Sequence, residues 1–234
     1  MDRRHFNSIP VPMLAAVIML ARRRAYGLSI DNLSEAEASQ GFKIALEKGA
    51  IAAVSLLGKR DGFLGNEKVR IPLPGYLGDA SKLLRLLGQG DRIDELVTGM
   101  NRAAEAAVPL AKDLLVGAVR TMNVTDAKKI LMGGETSITA FFADKTRAPL
   151  SAKFLPAVTK AIAKVGLAEK YNQMAGKAAG LGLVKQEDAN IQEYVTGKSL
   201  DGLYLMIGEE EKKIRQNPVA TGSAVLKKVF GALN

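Results

Sequence analysis

Three polar side chains that could act on a ligand stand in a stretch that is otherwise methionine and alanine. The stretch reads Met100-Asn101-Arg102-Ala103-Ala104-Glu105-Ala106-Ala107. On a helix, Asn101 and Glu105 share a face because they are four residues apart, and Arg102 neighbours Glu105 because it is three residues away. An amide, a guanidinium and a carboxylate grouped in this way can orient the polar head group of a ligand inside a pocket.

A second interpretation makes the same residues an internal clamp. Alanine lets another element approach the helix closely, and a buried charge must be paired, because removing one partner of a buried pair costs roughly 3–5 kcal/mol. Such a clamp would tie the helix to the irregular segment 58–74. Both interpretations share one set of ligand or clamp candidates: Asn101, Arg102, Glu105, Asp61, Phe63 and Arg70.

The segment 58–74 cannot be an amphipathic helix, because three glycines and two prolines interrupt it. A residue before proline is pushed out of the helical region, so the run Val69-Arg70-Ile71 is predicted to be extended. Phe63 follows the turn signal Asp61-Gly62 and is predicted to insert into the helical body. We expect one long irregular, partly extended loop near residues 58–78.

The residue types exclude several kinds of catalysis. The chain has no cysteine, and its single histidine, His5, lies in a predicted leader. Cys-His and Ser-His-Asp mechanisms are therefore excluded, as are zinc sites built on cysteine or histidine. We predict no catalytic residue, no metal and no cofactor. A hydrolase using a carboxylate pair stays open, although no spacing selects the pair.

The acidic run Glu209-Glu210-Glu211 precedes three basic residues: Lys212, Lys213 and Arg215. Pairs of Glu209 with Lys213 and of Glu211 with Arg215 have the favourable four-residue spacing, which is typical of a solvated helix face. Helical di-metal sites add Glu-x-x-His motifs, which this chain lacks. The run is therefore interpreted as surface charge.

The net charge of +9 does not indicate nucleic-acid binding. Residues 1–25 carry +4 of it, which leaves +5 for the rest of the chain. Aromatic residues make up only 5% of the sequence, so base-stacking surfaces are poorly supplied. We expect no nucleic acid among the partners.

Residues 1–25 are predicted to be an export leader. Arg3-Arg4-His5-Phe6 is similar to the twin-arginine pattern, and residues 9–20 are an apolar run of 12, too short to span a bilayer. Arg22-Arg23-Arg24 follows directly, and positive charge there disfavours translocation. The alternatives are a retained N-terminal segment associated peripherally with the membrane, and a cytoplasmic protein with a misassigned start.

The remainder of the chain carries helical periodicity. We predict an all-α fold, a single compact bundle of about nine or ten helices within residues 33–234. Its predicted elements are a helix from the capping box Ser34–Glu37 to Leu57, a short helix at 79–87, a tract 91–122 divided at Pro109, a helix capped by Thr125, separate helices at 136–145 and 149–165, and helices at 167–179, 191–216 and 223–233.

Several separate motifs occur in an order that resembles a bacterial family, the domain of unknown function 4197. They are Asp61-Gly62-Phe63-Leu64-Gly65-Asn66, Val69-Arg70-Ile71-Pro72-Leu73-Pro74, the Met100–Ala107 stretch, Tyr194-Val195-Thr196, Leu200-Asp201-Gly202-Leu203, and Glu209-Glu210-Glu211 with Ile214-Arg215. The resemblance implies an uncharacterised exported protein, without an assigned activity. Without cysteine, this chain lacks the lipid attachment that some members carry.

These observations favour a periplasmic or otherwise exported, non-catalytic protein that binds an amphipathic small molecule or an envelope partner between its helices. Apolar clefts between helices, with a few polar groups that set orientation, suit such a ligand. The alternatives are a structural or assembly protein of the cell envelope and a carboxylate-based hydrolase.

Overall fold

The structure of the protein is a computed structural model that describes residues 35–75, 81, 85–166, 168–180, 182 and 189–216. Within these residues the fold is all-α and contains no strand, as predicted. The predicted leader at 1–25, the cap residue Ser34 and the predicted helix at 223–233 lie outside the described residues, as does part of the predicted helix at 79–87.

The described residues form six continuous helical segments, so the prediction of nine or ten helices is wrong. The segments contain α1 (Glu35–Leu57); a π-helical turn (Arg85–Gln89), α2 (Gly90–Ala107), a 3-10 turn (Val108–Ala111) and α3 (Lys112–Arg120) in one tract; α4 (Val124–Met132); α5 (Ser137–Ile162); α6 (Ala168–Gly180); and α7 (Ile191–Gln216).

Two predicted boundaries are confirmed and have local causes. Helix α1 ends at Leu57, and the amide of Gly58 still donates to the carbonyl of Val54 at 2.8 Å. Pro109 divides the tract that joins α2 to α3, where the backbone tightens into a 3-10 turn. Proline lacks an amide donor and its ring clashes with the preceding turn, so a regular α-helix cannot continue through it unchanged.

The prediction that Thr125 caps α4 is wrong, because the cap is Asn123. The Asn123 side chain accepts a hydrogen bond from the amide of Asp126 at 2.8 Å, and the Asp126 carboxylate accepts from the amide of Asn123 at 3.3 Å. This reciprocal pair satisfies two donors at the start of the helix.

The predicted break before Pro149 is also wrong, because α5 runs as one helix of 26 residues with Pro149 and Pro156 inside it. One face of α5 buries Phe142, Leu150 and Phe154 completely. This packing offsets the backbone hydrogen bonds that the prolines remove, since tertiary burial supplies most of the stability of a helix in a protein.

Helices α5 and α7 pack along each other at the centre of the molecule, and α2 packs against both. Helix α1 lies against α7 and α3. The buried residues of these helices form one continuous hydrophobic core. Among the described residues, none of the helices combines the length and the apolar character needed to cross a bilayer.

Candidate functional site

The segment 58–74 is a chain of turns that crosses the helical body. The amides of Val69 and Arg70 both bond to the carbonyl of Asn66, at 3.1 and 2.8 Å. The prediction that the backbone is extended from Val69 onward is therefore wrong, and the irregular path without turns begins at Arg70. Asp61 has a φ of 64°, the only positive value at a non-glycine residue in the described part of the chain. Aspartate tolerates this left-handed conformation better than most residues.

Glu105 of α2 binds the backbone of this segment through hydrogen bonds. Its Oε1 accepts hydrogen bonds from the amides of Phe63 and Leu64, at 3.0 and 3.1 Å. Its Oε2 accepts from Arg102 at 2.6 Å, and the same guanidinium donates to Asp61 at 2.7 Å. Glu105 is buried, so its charge is compensated by one arginine and two backbone dipoles.

Asn101, which precedes Glu105 by four residues on α2, also binds the segment. Its Oδ1 accepts from the amide of Ile71 at 2.8 Å, while its Nδ2 donates to the carbonyls of Ile71 and Val97 at 2.9 and 2.8 Å. The side chain is fully buried, and all of these bonds are made inside the protein. We call Asn101, Arg102, Glu105 and Asp61 the clamp.

Phe63 inserts fully into the core, where it faces Gly202 of α7. A Cβ placed on Gly202 would lie 2.7 Å from Cε1 of Phe63 and 3.3 Å from Cβ of Val69. The missing side chain at Gly202 is what lets the segment approach α7 so closely.

Five of the six sequence candidates therefore come together, and Arg70 does not. Its side chain is exposed and makes no contact with the clamp. The hydrogen bonds to Glu105 and Asp61 raise the pKa of the Arg102 guanidinium above its usual value, so Arg102 keeps its charge throughout. The clamp is internally paired, which leaves it a positioning device for the segment.

Arg70 instead lines a cleft of about 370 Å³ on the outer side of the segment, between residues 68–72 and α7. We call it the loop cleft. Its lining consists of Lys68, Val69, Arg70, Ile71, Pro72, Lys198, Asp201, Gly202 and Leu205. One wall is backbone held by the clamp, and the other is a face of a long helix.

Two of the charged residues in the loop cleft are already paired. Lys68 lies 2.7 Å from Glu209, and Asp201 lies 2.8 Å from Arg147. The hydrogen bond from Lys68 lowers the pKa of the Glu209 carboxyl, and Lys212 adds to this effect.

Glu211 forms the predicted pair with Arg215, but the sequence did not indicate that it belongs to a second buried network. Its carboxylate accepts from the amides of Ile138 and Thr139, at 3.0 and 2.9 Å, and pairs with Arg215 at 2.9 Å. Glu211 is 1% exposed, so its interpretation as part of a solvated face is wrong. Lys212 and Lys213 do face solvent, but Lys213 pairs with Glu210 rather than with the predicted Glu209.

Tyr194 was also missed. Its hydroxyl donates to the carbonyl of Pro72 at 3.0 Å and so ties the far end of the segment to α7. Nothing in the spacing around either residue distinguishes it from an ordinary helix position. Among the described residues, no cluster of three or more acidic or histidine side chains is arranged to hold a metal ion.

The fold and the site define a helical protein in which one irregular segment is fixed across the bundle by buried side chains. The chain belongs to the family described as Protein of unknown function (DUF4197), which matches residues 32–231. No curated protein and no solved structure matches the sequence.

Proposed function

We propose that this chain is a non-catalytic binding protein that holds an amphipathic small molecule in the loop cleft. The observation that carries the proposal is the way the cleft wall is built. Residues 68–72 have no regular secondary structure of their own, yet buried side chains fix them against α2 and α7. Irregular segments held on a rigid scaffold are where proteins concentrate their binding residues.

The wall is fixed at two adjacent residues, one bound from α2 and the other from α7. Asn101 binds both backbone groups of Ile71, and Tyr194 binds the carbonyl of Pro72. A wall fixed in advance loses little conformational entropy when a ligand binds, which favours affinity.

The lining suits a molecule with one apolar and one polar end. Pro72 and Leu205 offer exposed apolar surface, and Leu205 is 45% exposed. Charged side chains stand beside them on both walls. Small-molecule clefts combine apolar walls with a few polar groups in this way, and their volumes begin at about 300 Å³.

The pairing of the buried acids supports binding rather than acid–base chemistry. Glu105 and Glu211 each accept two backbone amides and an arginine. A carboxylate used as a general acid or base must exchange a proton with the substrate, which such a saturated group is poorly placed to do. We also propose export to the periplasm, which the twin-arginine-like pattern and the apolar run of residues 9–20 support.

Native mass spectrometry of the protein purified from a bacterial envelope tests the binding function. We expect an added mass of a few hundred daltons that is lost in Leu205→Gln, because the substitution removes exposed apolar surface from the cleft. Leu155→Gln is the matched control, since Leu155 is a comparably exposed helical leucine outside the cleft lining. A protein that carries no adduct, and takes none up from added dodecanoate or monododecanoyl glycerol, contradicts the proposal.

A structural role through self-association is the second candidate. Leu86 and Leu87 of the π-helical turn are 85% and 65% exposed, and adjacent exposed leucines favour burial against a second copy. Light scattering over a hundredfold range of concentration tests this role. A mass that stays monomeric, and does not respond to Leu86→Ser with Leu87→Ser, rejects it.

A further inference from the structure

We infer that the loop cleft selects amphipathic molecules whose head group is negatively charged, and that Arg70 and Lys198 bind that head group. The inference rests on the proposed function of the cleft and adds the sign and the position of the ligand charge.

The charges of the cleft lining leave a positive excess. Of its four charged residues, Lys68 is paired with Glu209, which Lys212 also contacts at 3.4 Å, and Asp201 is paired with Arg147. Arg70 and Lys198 form no ion pair with any other residue that the structure describes. Lys198 lies over the ring of Tyr194, 5.8 Å from its centre, and this contact brings no negative charge to it.

The charge of Arg70 also acts on Asp94, but Asp94 is already paired with Arg85. The guanidinium of Arg85 donates two hydrogen bonds to its carboxylate. These bonds are the main reason why the pKa of Asp94 is lowered, and the charge of Arg70 makes a smaller contribution. Two guanidinium groups share this one carboxylate, so Asp94 does not offset the positive charge that Arg70 brings to the cleft.

The two excess cations lie at the same level of the cleft, because segment 68–72 runs opposite to α7. Lys68 forms an ion pair with Glu209, Val69 packs against Gly202, and Pro72 accepts a hydrogen bond from Tyr194. Arg70 falls between Val69 and Pro72, so it lies along the part of α7 between residues 194 and 202. Lys198 stands in the middle of that part.

The helix wall places apolar surface away from these cations. Lys198, Gly202 and Leu205 follow a spacing of four and three residues, so they share one face of α7. Seven residues of helix rise about 10 Å from Lys198 to Leu205. A head group bound by Arg70 and Lys198 would therefore direct its chain toward Leu205, beyond which Lys68 is held in its ion pair with Glu209.

A titration with three probes tests the charge selection on the full chain. Dodecanoate carries a carboxylate and a tail, monododecanoyl glycerol carries the same tail without charge, and inorganic phosphate carries charge without a tail. We expect dodecanoate to bind at least about tenfold more tightly than either of the others, since a hydrogen bond to a charged group outweighs a neutral one.

The three probes separate failure of this inference from failure of the proposed function. Equal binding of dodecanoate and monododecanoyl glycerol overturns the charge selection and leaves amphiphile binding intact. Binding of phosphate alone, or of none of the probes, overturns both.

Single variants test whether Arg70 and Lys198 bind the negatively charged head group of the ligand. Arg70→Gln and Lys198→Gln are each expected to weaken dodecanoate about tenfold and to leave monododecanoyl glycerol unchanged. Lys112→Gln is the control, because Lys112 is an exposed helical lysine outside the cleft. Thermal unfolding of each variant verifies the fold. Dodecanoate affinity that is the same in all three variants and in the parent protein overturns the inference.

Discussion

Asn101 pairs with both backbone groups of Ile71, in the way that a neighbouring β-strand would pair with them. Its carbonyl oxygen lies 2.8 Å from the Ile71 amide, and its amide nitrogen lies 2.9 Å from the Ile71 carbonyl. The second proton of that nitrogen goes to the carbonyl of Val97 at 2.8 Å. One side chain thus supplies what an irregular segment would otherwise lack, because buried backbone groups need partners.

Asn101→Asp is expected to destabilise the protein strongly at neutral pH. The new carboxylate would face the carbonyl oxygens of Ile71 and Val97, and a buried uncompensated charge costs roughly 3–5 kcal/mol. Those surroundings raise the folded-state pKa of the new group above its unfolded value of about 3.9. The folded state then binds the proton more tightly, so the deficit shrinks as the pH falls through the raised pKa.

Urea unfolding between pH 8 and pH 5 measures this effect. Asn190→Asp is the control, because Asn190 accepts from the amides of Gln192 and Glu193 at the start of α7. Aspartate serves equally well at that position and suits the helix dipole. A similar loss of unfolding free energy in both variants, or a loss in Asn101→Asp that does not depend on pH, would contradict the prediction.

Glu105→Gln is expected to lower the free energy of unfolding by about 3 kcal/mol, because the buried partner of Arg102 loses its charge. Asp61→Asn removes the other carboxylate that Arg102 contacts. Asp61 is 55% exposed in its side chain, so its loss should cost less than about 1 kcal/mol. Chemical denaturation of both variants compares them. Equal losses would mean that burial of Glu105 contributes nothing.

Gly202→Ala is expected to destabilise the protein by about 1–3 kcal/mol, since the added methyl would collide with the ring of Phe63. Gly197 lies in the same helix with no atom within 4 Å of its added Cβ. Gly197→Ala should therefore stabilise the protein by about 0.5–1 kcal/mol through helix propensity. Thermal unfolding of the two variants should show shifts of opposite sign, and shifts of the same sign would refute this account.

The clamp could be singled out from the sequence because its polar residues interrupt an alanine-rich helix. Neighbours on α2 satisfy only part of the hydrogen bonding of Asn101 and Glu105, and the remaining partners are backbone groups of the segment 58–74. Glu211 gave no such signal, because its four-residue spacing to Arg215 is the same in a solvated pair and in a buried one. Only the position of α5 against α7 decides between them.

The helices show the same division between local and tertiary causes. The end of α1 and the turn at Pro109 depend on glycine and proline acting locally, and both could be predicted. The continuity of α5 through Pro149 and Pro156 depends on the residues that its buried face contacts. Those residues are distant in the sequence, so the local sequence does not reveal them. Arg70 lines the outer cleft instead of joining the clamp, because residue type alone does not set the direction of a side chain.

Glu211→Gln is expected to cost about 3 kcal/mol, because the buried carboxylate binds the first amides of α5 and compensates the partly buried Arg215. Glu210→Gln is the matched control, since Glu210 is the preceding residue and has only a surface pair with Lys213. That variant should lose less than about 1 kcal/mol. Urea denaturation at pH 7 measures both, and a larger loss at Glu210 would be incompatible with a buried cap.

Tyr204→Phe is expected to change the response of the protein to alkaline pH. Burial raises the pKa of the Tyr204 hydroxyl, and the opposing effects of Thr146 and Arg147 are smaller. The folded state therefore holds the phenolic proton longer than the unfolded state, so the stability from this group is complete below about pH 10 and is lost as the pH rises through the raised pKa. Tyr204→Phe should lose about 1 kcal/mol at pH 8, where its bond to Thr146 is missing, and this deficit should shrink toward pH 11. Thr146→Val removes the same bond but keeps the phenol, so its deficit should not shrink over that range. Parallel deficits in the two variants would show that Tyr204 does not titrate differently on folding.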